Sequence, residues 1–398
     1  MTFQPRPYQQ EGIDAGIEHF KSGKRNGVIV APTASGKSLY IAGIADRLSD
    51  PVLVFQPSRE ILAQNFAKMV AFGHRPGVFS ASAGRKDIRH ITFATIGSAV
   101  NRIEAFKHFK KIVIDECHLA DYGTKGEQTM FSNFLNEMGN PTLVGLTATP
   151  WKLRTNMAGS QNKFITRIQG GLWKEVIHLT QIGDLLNQGF LSKAEYFFHQ
   201  GIDPTKLVEN SAGSDYTEAS VRAAIANCDL EAKVINMIER LLKHGRKSVL
   251  IFVPFVENAT KIAQFLPGIC AVVSGKTPKK ERAQTLADFE AGRIKAVVNV
   301  GTMTTGYDFP ALDTVILARP TKSLSLYYQM IGRVLRIHPS KESAYVLDMA
   351  GTSRLFGPVG DFRITKDHKG AWIVKSGDKQ LTNSYISPPK VQYSASQW

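Results

Sequence analysis

The sequence predicts an α/β protein of two domains, each built on a parallel sheet, and three observations carry that reading. Short β-branched runs alternate with helical patterns through both halves of the chain, as βαβ units require. The runs are apolar at successive positions rather than at alternate ones, the pattern of strands buried on both faces. The chain has 398 residues, too long for one small module at roughly 150 residues per domain.

The elements follow in order. Residues 8–20 have helical spacing, 28–30 form a strand, a helix opens at Lys37, 52–55 form a strand and a helix opens at Ser58. Residues 91–94, 111–115 and 142–146 supply further strands. Periodicity weakens from 153 to 210, through Gln169-Gly170-Gly171 and the polar run 209–215, so the interdomain connection belongs there. Alternation resumes with a helix over 230–244 and strands at 248–253, 270–274, 296–299, 314–318 and 345–348. The expected division is a first domain over 1–195, a connecting segment over 196–225, a second domain over 226–375 and a loosely ordered tail over 376–398, rich in Ser, Gln and Pro.

Composition narrows the class. Hydrophobic residues at 43% and charged residues at 21% are ordinary for globular domains and exclude wholesale disorder. No apolar stretch of about 18 residues occurs, and MTFQPRPYQQ lacks the basic and apolar regions of a signal peptide, which predicts a cytoplasmic protein of a bacterial or phage-infected cell with no membrane partner. Cys117, Cys228 and Cys270 contain no C-x-x-C pair, a pattern of small buried hydrophobes rather than of disulfides or zinc ligands. With 49 Lys and Arg against 34 Asp and Glu, the net charge of +15 fits a polyanionic partner.

Two motifs carry the chemistry. Ala31-Pro-Thr33-Ala34-Ser35-Gly36-Lys37-Ser38 joins an apolar strand to a helix, the context of a phosphate-binding loop, although Ala31 stands where the strict pattern has Gly. There the backbone of Thr33, Ala34, Ser35 and Gly36 curls around an anion, Lys37 reaches the β- and γ-phosphates of ATP, and the Ser38 hydroxyl ligates Mg²⁺. The run Lys111-Ile-Val-Ile-Asp115-Glu116-Cys117-His118 ends an apolar strand in two carboxylates at the edge where ligands of open parallel sheets sit. Adjacent acids suit a division of labour, with Asp115 in the Mg²⁺ shell and Glu116 accepting a proton from the attacking water.

With these in place the chain resembles the superfamily 2 helicases and translocases, whose motor is a pair of RecA-like domains with the ATP cleft between them. Arg6-Pro-Tyr-Gln9-Gln10 resembles that superfamily's adenine-reading element, with Gln9 as base contact, and Pro57-Ser-Arg59-Glu-Ile and Thr95-Ile-Gly-Ser98 resemble its contacts to the nucleic-acid backbone. Thr147-Ala-Thr149-Pro resembles the motif coupling nucleotide to strand, and the resemblance extends the coupling role to His118. In the second half, Asn299-Val-Gly-Thr302-Met-Thr-Thr-Gly306-Tyr-Asp308-Phe-Pro resembles the motif that links nucleotide and second domain, with Thr302 as a phosphate contact. Gln329-Met-Ile-Gly-Arg333-Val-Leu-Arg336 resembles the arginine-finger motif, and its i, i+3 spacing predicts both guanidinium groups on one helical face.

The combination is similar to the RadD/XPB-like branch, but the cysteine-rich zinc region of RadD has no counterpart here, so zinc is not carried over. The resemblance implies an ATP- and Mg²⁺-dependent enzyme acting on single-stranded or branched DNA without sequence preference, in replication, recombination or repair, with protein partners from those processes. An RNA helicase and a nucleotide-gated binding scaffold remain as alternatives.

Overall fold

The computed structural model describes residues 4–24, 26–120, 129–156, 159–303 and 307–385. The chain divides into two compact units, the first comprising Met1–Lys152, Lys163–Gln181 and Lys366–Trp372, the second Leu153–Asn162, Ile182–Thr365 and Ile373–Trp398.

The first unit is built on an eight-stranded sheet. Its strands are β1 (Gly27–Val30), β2 (Val52–Phe55), β3 (Gly77–Ser80), β4 (Arg85–Lys86), β5 (Ile91–Ala94), β6 (Lys111–Asp115) and β7 (Thr142–Thr147). A separate two-stranded hairpin, β8 (Trp151–Asn156) and β9 (Gly159–Phe164), whose residues Leu153–Asn162 belong to the second unit, comes before the last strand of this sheet in the chain, β10 (Glu175–Leu179). The sheet order is β10-β1-β7-β6-β2-β5-β3-β4, and every pair is parallel except β3 with β4. Val28, Ile29, Leu53, Val54, Ile112 and Val113 have no exposed surface, and each such side chain contributes roughly 1.5–3 kcal/mol of burial free energy. Helix α1 (Pro7–Ser22) buries Ile13, Ile17 and Phe20 on one stripe, while α2 (Lys37–Arg47) buries Tyr40, Ile41 and Ile44.

Register places the functional ends. Val30 of β1 lies opposite Thr147 of β7, and Asp115 of β6 lies opposite Leu146. The carboxyl ends of β1, β7 and β6 therefore share one edge, with β7 between the other two.

The second unit has a six-stranded parallel sheet of β11 (Ala194–Phe198), β12 (Val249–Phe252), β13 (Cys270–Ser274), β14 (Ala296–Val300), β15 (Thr314–Leu317) and β16 (Ala344–Asp348), in the order β11-β16-β15-β12-β14-β13. Helix Leu230–Lys243 lays Leu230, Val234, Met237, Ile238 and Leu241 on the core, an i, i+4, i+7 pattern that makes it strongly amphipathic. A small sheet follows, β17 (Phe362–Lys366), β18 (Trp372–Ser376) and β19 (Lys379–Gln380).

The division differs from the expected one: Leu153–Asn162 belongs to the second unit and Lys366–Trp372 to the first. Residues 182–195 also belong to the second unit, and the expected connecting segment 196–225 is part of its fold. Ala194–Phe198 pairs along its whole length with Ala344–Asp348, and Val221, Ala224 and Ile225 of helix Glu218–Cys228 enter the core. The expected tail is also structured at its start: β19 pairs with β18, Leu381 and Thr382 are fully buried, and Thr382 Oγ1 accepts from Val374 N at 2.9 Å. Residues 386–398 lie outside the described ones. Cys117 and Cys270 are buried, Cys228 is half-buried, and all three are free thiols.

Candidate active site

The loop after β1 is shaped for close backbone approach. Ala34 and Gly36 both have positive φ, 63° and 85°, turning successive N–H groups toward one side, the geometry of an anion nest. Gly36 is required twice over, because a Cβ there would sit 2.7 Å from Gln9 Nε2 as well as in the left-handed region. Helix α2 begins directly at Lys37, so its N-terminal N–H groups and dipole point at the same place. Helix α1 straps this loop from outside: Gln9 Nε2 donates to Ser35 O at 2.8 Å and Tyr8 Oη to the same carbonyl at 3.1 Å. Gln9 Oε1 accepts from Arg6 N at 2.9 Å, so the side chain expected to read adenine is buried and holds the loop.

The two acids close the other side. Lys37 Nζ lies 3.4 Å from Glu116 Oε1, with both side chains largely buried. Glu116 has φ 45°, a left-handed backbone that only the surrounding packing maintains in a non-glycine residue. Asp115 Oδ1 accepts from Glu116 N and Oδ2 from Asn65 Nδ2, each at 2.9 Å. Burial, and then the Glu116 charge, push the Asp115 carboxyl above the usual range, while Lys37 and the Asn65 hydrogen bond oppose them. A cation beside this pair would be stabilised by the same field.

His118 joins the acids to β7. Its Nδ1 lies 2.8 Å from Thr147 Oγ1 and 3.5 Å from Glu116 Oε2, and Thr149 N donates to Thr147 Oγ1 at 3.0 Å. Burial lowers the His118 pKa, with Glu116 acting against it. The turn is held tightly: a Cβ on Gly145 would lie 2.5 Å from Trp173 Cη2 and 2.7 Å from Cys117 Sγ.

Hard oxygen donors from Ser38 and Asp115, next to an anion nest, fit a Mg²⁺ ion that is shared with nucleotide phosphates. Among the described residues no group of three or more His, Cys, Asp or Glu is placed to hold a metal ion. The Ser35 Oγ is buried without a hydrogen-bond partner among the described residues, an acceptor or donor left for something in the nest.

The candidate strand contacts differ in character. Arg59 is exposed at the first position of helix Arg59–Ala71, named α3 here, where a cation opposes the helix dipole by about 0.3–1 kcal/mol. Local stability does not account for it. Thr95 and Ser98 are engaged internally, with Thr95 Oγ1 3.2 Å from Ser80 Oγ and 3.0 Å from Ser98 Oγ, and Ser98 Oγ accepting from Ala81 N at 2.9 Å.

In the second unit, Thr302 Oγ1 donates to Asn299 Oδ1 at 2.7 Å. Gly306 lies outside the described residues. The finger arginines meet otherwise than expected: helix Leu324–Gly332 ends before Arg333, so no helical face carries the pair. They converge instead on one loop, Arg333 Nη1 donating to Tyr307 O at 2.6 Å and Arg336 Nη1 pairing with Asp308 Oδ1 at 2.7 Å. Gln329, half-buried, offers its carbonyl to Arg333 Nε at 3.4 Å.

Sequence reasoning missed Asn65, and it quoted Tyr8 and Asn299 within motifs without giving either a role of its own. Asn65 lies within the helix that Arg59 opens, but nothing in its spacing marks it.

Two family models match: "Type III restriction enzyme, res subunit" over residues 2–152 and "Helicase conserved C-terminal domain" over residues 232–338. The chain belongs to the superfamily 2 helicases. It fits the XPB/RadD-like type within them. A 51.5 kDa protein of a Lactococcus phage is 26% identical, over 91% of this chain and 74% of its own length. The DNA 3'-5' translocase XPB2 of Sulfurisphaera tokodaii is 23% identical over 83% of this chain and 78% of itself. The ATP-dependent DNA helicase uvsW of Enterobacteria phage T4 is 24% identical over 87% and 68%. Several other curated relatives are longer, and the chain spans 52–58% of their length. Among solved structures, the DNA-bound restriction-modification enzyme LlaBIII has a TM-score of 0.62 at 15% identity, covering 88% of this superfamily 2 chain and 28% of its own. Saccharomyces cerevisiae Dbp5, bound to RNA and ADP BeF3, has 0.55 at 14%, covering 87% and 84%. These likenesses establish the fold as two RecA-like parallel-sheet domains.

Proposed function

We propose that this superfamily 2 chain is an ATP-dependent DNA helicase or translocase, coupling hydrolysis to movement on, or remodelling of, single-stranded or branched DNA in replication, recombination or repair. The observation that carries it is the 3.4 Å approach of Lys37 Nζ to Glu116 Oε1 at the end of the phosphate-binding loop. It brings the cation that neutralises a terminal phosphate against the carboxylate that takes the proton of the attacking water. Ser38 and Asp115 would hold Mg²⁺, which when bound offsets the charge of the β- and γ-phosphates. Lys37 exchanges its partner Glu116 for phosphate, which releases Glu116 as a general base. Arg333 and Arg336 supply positive charge to the phosphoryl oxygens, and Thr147, Thr149 and His118 carry the state of the nucleotide to the strand-binding face. Arg59, Thr95, Ser98 and Thr302 contact the backbone of the strand. A scaffold without turnover has no chemical need for Glu116 together with two arginines.

The test is the affinity of a labelled single strand measured with no nucleotide, with a non-hydrolysable ATP analogue and with ADP. Coupling of the usual size changes it by about 5–150-fold between states, and Lys37→Ala abolishes the difference. Equal affinity in all three states contradicts the proposal.

A further inference from the structure

One side chain joins the helix that presents Arg59 to the carboxylate at the end of β6. Asn65 is on α3, 2% exposed, and its Nδ2 donates to Gln56 Oε1 and to Asp115 Oδ2, each at 2.9 Å. The two hydrogens of a single amide nitrogen are thus both committed, one to the residue that follows β2 and one to the acid that ends β6. Asp115 has its other oxygen on the Glu116 backbone N–H, so its orientation is set by two donors, and only one of them is a side chain. Gln56, Asp115 and Glu116 also line one cavity of about 360 Å³. Arg59 and Asn65 lie six positions apart on the same α-helix, a rigid element, so displacement of its first turn moves the Asn65 amide with it.

We infer that Asn65 is a positioning residue, which fixes the Asp115 carboxylate for the metal–nucleotide complex and transmits strand occupancy at the start of α3 to that carboxylate. This rests on the nucleotide and strand reading proposed above. A donor that orients a ligating carboxylate governs metal affinity and activity roughly ten- to a hundredfold. It also gives the strand a direct mechanical route to the chemistry: Arg59 takes the backbone, α3 shifts, and Asn65 turns Asp115.

The experiment compares the wild type with Asn65→Leu, which keeps the volume and removes both bonds, and Gln56→Leu, which leaves the Asn65–Asp115 bond in place. Two readouts are taken: Mg²⁺ titration of the binding of a fluorescent non-hydrolysable ATP analogue, and the ratio of ATP hydrolysis with and without single-stranded DNA. In Asn65→Leu the Mg²⁺ needed for half-maximal analogue binding rises at least tenfold and the DNA stimulation falls toward one, while affinity for the strand itself stays within twofold. Gln56→Leu keeps the wild-type Mg²⁺ requirement. Unchanged Mg²⁺ dependence in Asn65→Leu overturns the inference, as does an equal rise in Gln56→Leu, which would mark a packing effect of the whole layer. Should Asn65→Leu not fold, Asn65→Ala is read in the same way. A wild type with no DNA stimulation would instead count against the proposed function, with the analogue titration still deciding the Asn65–Asp115 bond.

Discussion

Gly36 shows how one residue serves both chain geometry and chemistry. Its φ of 85° and the 2.7 Å gap to Gln9 Nε2 mean that Gly36→Ala meets a left-handed penalty of about 1–2 kcal/mol before any contact is counted. Denaturant unfolding should show a loss of at least that size, together with lost affinity for an ATP analogue. An unchanged midpoint would contradict the geometry. His19 makes a second prediction, for pH. Its buried Nε2 accepts from Gly27 N at 3.1 Å, at the start of β1, which only an unprotonated ring nitrogen does. Burial lowers its pKa, and Glu175 opposes that only in part. A depressed histidine contributes stability that is present above its unfolded value of about 6.5 and lost as pH falls. The unfolding midpoint should therefore drop from pH 7.5 to 5.5, and less steeply in His19→Gln, whose amide oxygen still accepts. Identical slopes would remove His19 from the account. In the second unit, Arg333→Ala should lower kcat by about 10³-fold or more and leave analogue affinity within a few-fold, since the charge acts on the transition state. A matching loss of affinity would make it a ground-state contact.

At the scale of elements, α1 acts as a strap on the phosphate loop, for two of its side chains share the Ser35 carbonyl. Removing one neutral bond of this kind costs about 0.5–1.5 kcal/mol, so Gln9→Leu should weaken ATP-analogue binding up to about tenfold, and Tyr8→Phe by less. The effect belongs in KM; a fall in kcat alone would argue against a strap. Much at this scale was legible in the sequence. Residues 52–55, 91–94 and 111–115 are strands with the expected bounds, each carrying a compact run of apolar and β-branched side chains. Gly77–Ser80 and Glu175–Leu179 were not legible: the first is a short run opened by Gly, and the second carries Glu175 and His178 on a strand whose burial is only partial. Lys379–Gln380 is held by pairing with β18 and by Leu381 beneath it, a tertiary effect that local composition cannot report. Within the candidate site, motif spacing singled out Lys37, Asp115 and Glu116, and the fold brings Lys37 and Glu116 to 3.4 Å. That spacing gave no sign of Asn65, whose role depends on a helix passing the end of β6.

For the whole molecule, the net charge of +15 and exposed basic groups such as Arg59 imply strand binding through phosphates, so affinity should fall steeply with salt, the logarithmic slope being about −0.7 for each phosphate neutralised on a single strand. A flat salt response would shift the weight from the backbone to the bases. The central claim is a DNA-driven cycle of hydrolysis, and the most direct measurement is phosphate release from ATP with no nucleic acid, single-stranded DNA, duplex or forked DNA, and RNA of matched length, with Glu116→Gln as control. The account predicts strong stimulation by DNA, weaker by RNA, and none in Glu116→Gln. Hydrolysis that no polymer stimulates would contradict it, and equal or stronger stimulation by RNA would move the substrate from DNA to RNA.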